Sequence, residues 1–163
     1  MLPGVFMHST DSEECGKIFP IPGGKGMGIT AYNNSGATTV VGGIYQIEVA
    51  QTVNAEAQVI ACETTTFNVY TAIALEAIAA LSICKFQISG IAEVLCDEQA
   101  GITAGKWLEV LNGALVATED GAARTTVSLG ILRDAVTQDE GDANNRIIKT
   151  VILTGEPHTI AAS

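Results

Sequence analysis

The sequence predicts a mainly β protein that is built from short strands. Its apolar residues occur in short runs interrupted by turn residues, and these runs are rich in Val, Ile and Thr, which favour strands. At 163 residues, 47% of them hydrophobic, the chain is long enough to bury a core as one domain. Because aromatic residues make up only 5%, that core must consist mainly of Val, Ile, Leu and Ala.

The first predicted strands follow the turn-rich stretch NNSGATTVVGG, which covers residues 33–43. This stretch is interpreted as a turn that leads into a strand, with Gly42 and Gly43 permitting a tight bend or bulge. Residues 44–49 (IYQIEV) alternate in polarity and form the strand. After a polar break, residues 58–62 and 64–70 are strand-like as well.

The clearest local signal is the Asn112-Gly113 pair between the apolar runs 107–111 and 114–117. Asn-Gly readily adopts the two positive φ angles of a type I′ turn, so these residues predict a β-hairpin. Further strands are predicted over residues 125–132 and 147–153.

Residues 71–84 (TAIALEAIAALSIC) fit two structures. Their strong helix formers favour a helix. The strand-like sequence on both sides favours a strand followed by a loop.

Several stretches of the two halves follow one plan. Residues 73–78 (IALEAI) resemble residues 131–136 (ILRDAV), and each stretch precedes a strand that carries a lysine and ends at a glycine. Residues 35–47 and 100–110 share a Gly, a Thr, a second Gly and then a strand. These matches indicate two pseudo-repeated β units, with chance similarity among strands and turns as the alternative.

Residues 1–30 differ from the rest of the chain. They hold three of the four prolines and many glycines without sustained periodicity, a composition typical of an extended N-terminal arm. The β domain is predicted over residues 31–155, and a C-terminal tail over residues 156–163.

The formal net charge of −10 limits the choice of partners. An acidic surface repels phosphate backbones and anionic headgroups, so we expect neither nucleic acid nor membrane as a partner. The N-terminus lacks the basic and apolar regions of a secretory signal, and the four cysteines have no zinc-site spacing. We therefore expect reduced thiols and synthesis in a cytoplasm.

Two glycine-rich loops, residues 22–28 and 101–107, each contain a lysine and have the composition of a phosphate-binding loop. Both lead into strand-like sequence, so no helix N-terminus would face a phosphate. His8 lies in the predicted arm and His158 in the predicted tail, where catalytic geometry is poorly held.

The remaining polar motifs also favour structural explanations. The carboxylates of residues 134–142 could bind calcium but fit a solvated acidic turn, and Asn33-Asn34-Ser35 is a glycosylation sequon without a visible secretory route. Trp107 is interpreted as a core or interface anchor. We therefore expect no enzyme activity, no catalytic residue, no metal and no cofactor.

Taken together, these patterns resemble the capsid decoration (head-stabilisation or cement) proteins of tailed bacteriophages. The resemblance covers residues 31–154. It is carried by YNNSGATTVVGGIYQI, AIALEAIAALSICKFQISGIAEV, AGITAGKWLEVLNGALV, and SLGILRDAV followed by IIKTVIL.

The resemblance implies a small β-barrel or β-tulip domain that assembles as a homotrimer on the outer capsid surface, with the major capsid protein as partner. It also implies that residues 71–84 form a strand and a loop. The arm is the candidate capsid contact, and its apolar anchors would be Leu2, Val5, Phe6, Ile18, Phe19 and Ile21. The alternative is that the arm packs on its own barrel.

Other functions remain open on the sequence alone. One is a different virion component, such as a head-fibre base, a connector or a tail protein. Another is a ligand-binding β-barrel, although the abundant small aliphatic residues favour a filled interior.

Overall fold

The computed structural model describes residues 15–49, 57–61, 70–97, 104–110, 117–119, 128–133 and 146–158. Within these ranges the chain forms eleven β-strands and a single-turn 3-10 helix, and no α-helix, which confirms the mainly β prediction. The strands are β1 (Ile18–Ile21), β2 (Gly26–Asn33), β3 (Ile44–Val49), β4 (Ala57–Ala61), β5 (Tyr70–Ala74), β6 (Ile83–Gln87), β7 (Gly90–Asp97), β8 (Trp107–Val110), β9 (Ala117–Glu119), β10 (Ser128–Leu132) and β11 (Arg146–His158).

Strands β2 to β6 make the first unit. β2 pairs with β4 in parallel, and antiparallel pairs then join β4 to β3, β3 to β5 and β5 to β6. An antiparallel pairing of β6 with β2 returns to the start, so the five strands form a ring. β1 adds to β2 outside this ring and is the only described strand with a single partner.

Strands β7 to β11 make the second unit, a closed barrel. β7 pairs with β9 in parallel, and antiparallel pairs join β9 to β8, β8 to β10, β10 to β11 and β11 back to β7. This pairing order is the same as in the first unit. The two pseudo-repeated units predicted from the sequence are therefore present in the fold.

Equivalent positions in the two units follow from the strand registers. Asn33 of β2 and Cys96 of β7 each face the parallel strand, at Val59 and Ala117 respectively. The turns before β3 and β8 also match, because Gly42 and Gly105 each lie two residues before the strand, with φ of +78° and +84°.

The sequence similarity between the two units is off by one residue in one strand. It matches the lysines of the two similar strands, Lys85 and Lys149. The strand registers instead make Phe86 of β6 equivalent to Val151 of β11, so that Lys85 is equivalent to Thr150. The reason is packing, since Phe86 and Val151 are both fully buried and set the inward positions of their strands.

Two sequence-based boundaries change. The arm predicted over residues 1–30 includes β1 and most of β2, whose pairing makes them part of the sheet from Ile18 onward. The tail predicted from residue 156 begins later, because β11 continues to His158, which pairs with Ser128. β1, β2 and β7 are not among the strands predicted above.

The helix alternative for residues 71–84 is wrong. This segment forms β5, a loop and the start of β6, as the strand-and-loop interpretation expects. Pairing with β3 and β6 buries Ala72, Ile73 and Ala74, and this burial outweighs the helix propensity of the isolated sequence. The Asn112-Gly113 turn lies outside the described residues, while the strands that flank it, β8 and β9, pair antiparallel.

Two buried clusters fill the fold. In the first unit, Tyr45 and Phe86 meet edge to face with ring centroids 5.8 Å apart, among small aliphatic side chains. The second cluster lies in the other unit but includes Ile44 and Ile73 of the first. The two units therefore share apolar packing.

The units join where β6 leads into β7 and contacts the turn before β2. A Cβ atom at Gly90 would overlap the carbonyl oxygen of Lys25, and one at Gly26 would overlap that of Ser89. The Ile91 amide donates to the Lys25 carbonyl at 2.7 Å. The buried Gln87 amide nitrogen lies 3.0 to 3.3 Å from the carbonyl oxygens of residues 25, 89 and 91. This arrangement, called the junction below, brings two backbones closer than any side chain would allow.

We expect Gly90→Ala to lower the free energy of unfolding by about 3 kcal/mol or more, because it adds backbone overlap to an unfavourable φ. Gly105→Ala is the matched control. Its φ of +84° is nearly that of Gly90 (+85°), but apart from its chain neighbours no described residue has an atom within 4 Å of its Cβ position. We expect the control to cost about 1 kcal/mol. Urea unfolding of both variants measures the difference, and equal losses would show that the junction is not tightly packed.

Candidate functional site

Large aliphatic side chains are exposed together on the outer side of the second unit. Ile91, Ile148, Ile152 and Val41 are between 37% and 51% exposed. These four residues are called the outer apolar face. Ile91 and Ile152 are register partners on β7 and β11, and Ile148 lies on the same side of β11 because side chains alternate along a strand.

Val41 joins this face through the turn before β3. The Gly42 carbonyl accepts a hydrogen bond from the Leu95 amide at 2.9 Å, which attaches the turn of the first unit to β7 of the second. A Cβ atom at Gly42 would lie 2.9 Å from Cδ1 of Ile148, so only glycine lets the turn approach this closely. Between the aliphatic side chains, Thr150 Oγ1 donates to Glu93 Oε1 at 3.3 Å.

An open apolar groove of about 590 Å³ lies beside β1 on the first unit. It is lined by Lys17, Ile18, Phe19, Pro20, Ile21, Pro22, Thr30, Leu75 and Lys85, and is called the β1 groove. Its apolar walls come from β1 and from Leu75, which follows β5. Lys17 and Lys85 are exposed and give it a basic rim.

A second, smaller groove connects the two surfaces. It shares Ile21 and Leu75 with the β1 groove and reaches Val41 and Ile91 of the outer apolar face. Lys25 also lines it. Three of the eight basic residues of an acidic chain therefore border one continuous surface that crosses both units.

The candidate arm residues fall into two groups. Leu2, Val5 and Phe6 lie outside the described residues. Ile18, Phe19 and Ile21 belong to β1, where the Phe19 ring covers Gly28 closely enough to exclude any side chain there. Ile18 is 55% exposed. These three side chains line the β1 groove and belong to a strand that is paired with β2.

Trp107, the proposed core or interface anchor, is the first residue of β8 and is half-buried. It pairs with Ile131 of β10, and its equivalent in the first unit is Ile44, which pairs with Ile73. Ile44 packs in the shared apolar cluster. Trp107 therefore occupies a position that is fully buried in the other unit.

The polar motifs acquire structural roles or lie outside the described residues. His8 and the acidic stretch 134–142 are outside, and His158 ends β11. Lys25 and Lys106 both precede strands, so neither glycine-rich loop leads into a helix. In the described ranges no group of three or more His, Cys, Asp or Glu side chains could hold a metal ion. No helix found in these ranges is long and apolar enough to cross a membrane.

Asn33, the first residue of the sequon, is fully buried. Its Nδ2 donates to the carbonyl oxygens of Ala37 (2.8 Å) and Ile78 (3.1 Å), and its Oδ1 accepts from the Ser35 amide and hydroxyl. A glycan on Nδ2 is incompatible with this structure. Asn33 instead fixes the loop that follows β2 against the loop that follows β5.

Cys84 and Tyr45 form the buried polar centre of the first unit. Burial raises the pKa of the Cys84 thiol, while a hydrogen bond with Thr39, at 3.7 Å from Sγ to Oγ1, acts in the opposite direction. Burial also raises the pKa of the Tyr45 hydroxyl, which accepts a hydrogen bond from the Val40 amide. Burial favours the neutral form of both groups, and a neutral thiol or phenol is a poor nucleophile. Cys84 and Tyr45 therefore fit a structural role better than a catalytic one.

The outer apolar face was not identified from the sequence. A signal for it exists in RIIKTVIL, where aliphatic residues occur at both odd and even positions of β11. Side chains alternate between the faces of a strand, so such a run indicates that both faces are to be covered.

Asn33→Ala should lower the free energy of unfolding by about 2–4 kcal/mol, because two buried carbonyl groups lose their donor. Asn34→Ala, at an exposed neighbouring position, should change it by less than about 0.5 kcal/mol. Thermal and urea unfolding provide the comparison. A small effect of Asn33→Ala would mean that water replaces the amide and that the loops are not fixed by it.

Stability should fall as the pH rises above about 9. The unfolded chain releases the Cys84 proton near the ordinary pKa of 9.0, whereas the folded protein holds it to higher pH, so ionisation favours unfolding. Urea midpoints between pH 7 and 10.5 should decline less steeply for Cys84→Ala than for the unmodified protein.

No protein-family model matches the chain, and none of the curated proteins is significantly similar to it. The function must therefore be argued from the surface described above: an outer apolar face, a basic-rimmed groove, and the second groove that connects them.

Proposed function

We propose that this protein is a non-enzymatic capsid decoration protein of a tailed bacteriophage. It binds the outer surface of the major capsid lattice and stabilises the expanded head. The observation that carries this proposal is the outer apolar face, because contiguous exposed aliphatic side chains on a β-sheet indicate a protein interface. The family resemblance of residues 31–154 supplies the identity of the partner.

The composition of this surface supports a protein partner over other kinds. Its centre is aliphatic, with the Glu93–Thr150 pair inside it and lysines toward one end, which is the usual pattern of an apolar core with a polar rim. Completing the burial of each partly exposed isoleucine would contribute about 1 kcal/mol. Several such side chains acting together give useful affinity.

The mechanism rests on differential binding. A protein that binds where capsid subunits meet in the expanded lattice, and not in the compact one, stabilises the expanded state by the difference in binding free energy. No bond is made or broken in this process. Trimers, which the resemblance implies, would place three outer apolar faces on one local threefold axis and strengthen binding through multivalency.

The N-terminal arm remains a candidate second contact. Leu2, Val5 and Phe6 are its apolar anchors, while Ile18, Phe19 and Ile21 stay with the sheet. In this proposal the outer apolar face provides the main contact and the arm extends it to a neighbouring capsid subunit.

The proposal can be tested by co-sedimentation of the purified protein with capsid shells of its source virus that lack this protein, in both the compact and the expanded form. We expect saturable binding to expanded shells, and the Ile91→Asp/Ile152→Asp double variant should weaken it by about tenfold or more through loss of apolar burial. Phe6→Asp should weaken it by a smaller factor if the arm contributes.

The matched control is Leu81→Asp. Leu81 is 66% exposed, lies in the loop after β5 and has a positive φ that Asp tolerates, so this variant should bind like the unmodified protein. Absence of binding to either shell would reject the decoration function. Equal binding of the double variant and the control would place the contact elsewhere on the protein.

A further inference from the structure

We infer that the β1 groove is the binding site for this chain's own first fourteen residues in the free protein. The segment reads MLPGVFMHSTDSEE and directly precedes the first described residue, Cys15. The occupant is thus an apolar and acidic peptide that is already attached beside the groove. The inference does not depend on capsid binding.

The chemistry of the groove fits this segment. Its walls are apolar, and Lys17 and Lys85 stand at its rim, with Lys25 beside the adjoining groove. The segment has apolar side chains in its first half and Asp11, Glu13 and Glu14 in its second half, and it contains no lysine or arginine. Apolar anchors with carboxylates at one end match an apolar groove with a basic rim.

The volume of the groove also fits. About 590 Å³ is within the range of sites that bury a small ligand or a few side chains. The chain has a formal net charge of −10, which disfavours the binding of an acidic segment elsewhere, whereas this surface carries three of its eight basic residues.

The covalent link makes binding within one molecule the favoured arrangement. Residues 6 and 17 are eleven positions apart, a span of at most about 40 Å when extended, which is ample for the segment to turn back onto β1. A short covalent link gives an effective concentration on the order of millimolar, so even weak docking is well populated. Docking would bury the apolar side chains of Leu2, Val5 and Phe6, which is favourable in water.

Limited proteolysis of the full chain tests the inference. Chymotrypsin cleavage after Phe6, measured by mass spectrometry, should be about tenfold slower in the protein than in a free peptide of residues 1–14. The double variant Lys17→Glu/Lys85→Glu should raise the rate to nearly that of the peptide. Lys106→Glu makes the same kind of charge change at an exposed position in the second unit and should leave the rate unchanged.

A reciprocal variant separates specific docking from general loosening of the fold. Asp11→Lys/Glu13→Lys/Glu14→Lys should also raise cleavage after Phe6, and combining it with Lys17→Glu/Lys85→Glu should restore protection. Raising the salt from about 0.05 M to about 0.5 M should weaken protection in the unmodified protein.

Three results would overturn the inference. They are cleavage at the peptide's rate in the unmodified protein, protection unaffected by the groove variant, and protection that rises with protein concentration. The last result would assign the groove to the segment of a second copy.

Discussion

The close backbone contact at the junction is the constraint on which the rest of the structure depends. Gly26 and Gly90 allow the turn before β2 to pack against the start of β7. The side-chain amide of Gln87 donates hydrogen bonds to the three carbonyl groups that meet there. This contact sets where β7 begins relative to the first unit. It thereby places Ile91 beside Leu75 and Ile21, and so joins the β1 groove to the outer apolar face.

The two units use the same pairing order but different side chains at equivalent positions. Asn33 organises two loops through its amide, whereas the equivalent Cys96 lies in an apolar cluster. The turn at Gly42 packs on β7 of the neighbouring unit, whereas the Cβ position of Gly105 has no atom of a described residue within 4 Å apart from its chain neighbours. The repeated pairing order therefore supports different side-chain interactions at equivalent positions of the two units.

The sequence could predict much of the fold, because short-range signals determined it. The strand at residues 44–49, the paired strands around Asn112-Gly113 and the repeated units follow from alternation, turn chemistry and internal similarity. β1 and β2 could not be predicted this way, since their Pro- and Gly-rich sequence is typical of loops and only the close packing of Phe19 on Gly28 explains it. The candidate site was harder to predict than the strands, because its residues are far apart in sequence. The pairing of distant strands brings together Val41, Leu75, Ile91 and Ile148.

The ring closures have a consequence for behaviour at high concentration. Every described strand except β1 has a neighbour on both sides, so β1 is the one strand among them that offers an edge to which another chain could add. Pro20, near the middle of β1, has no N–H to donate to an incoming strand, and Pro22 follows immediately after the strand ends. Extension of the sheet through this edge, which is the first step of fibrillar polymerisation, is thereby discouraged.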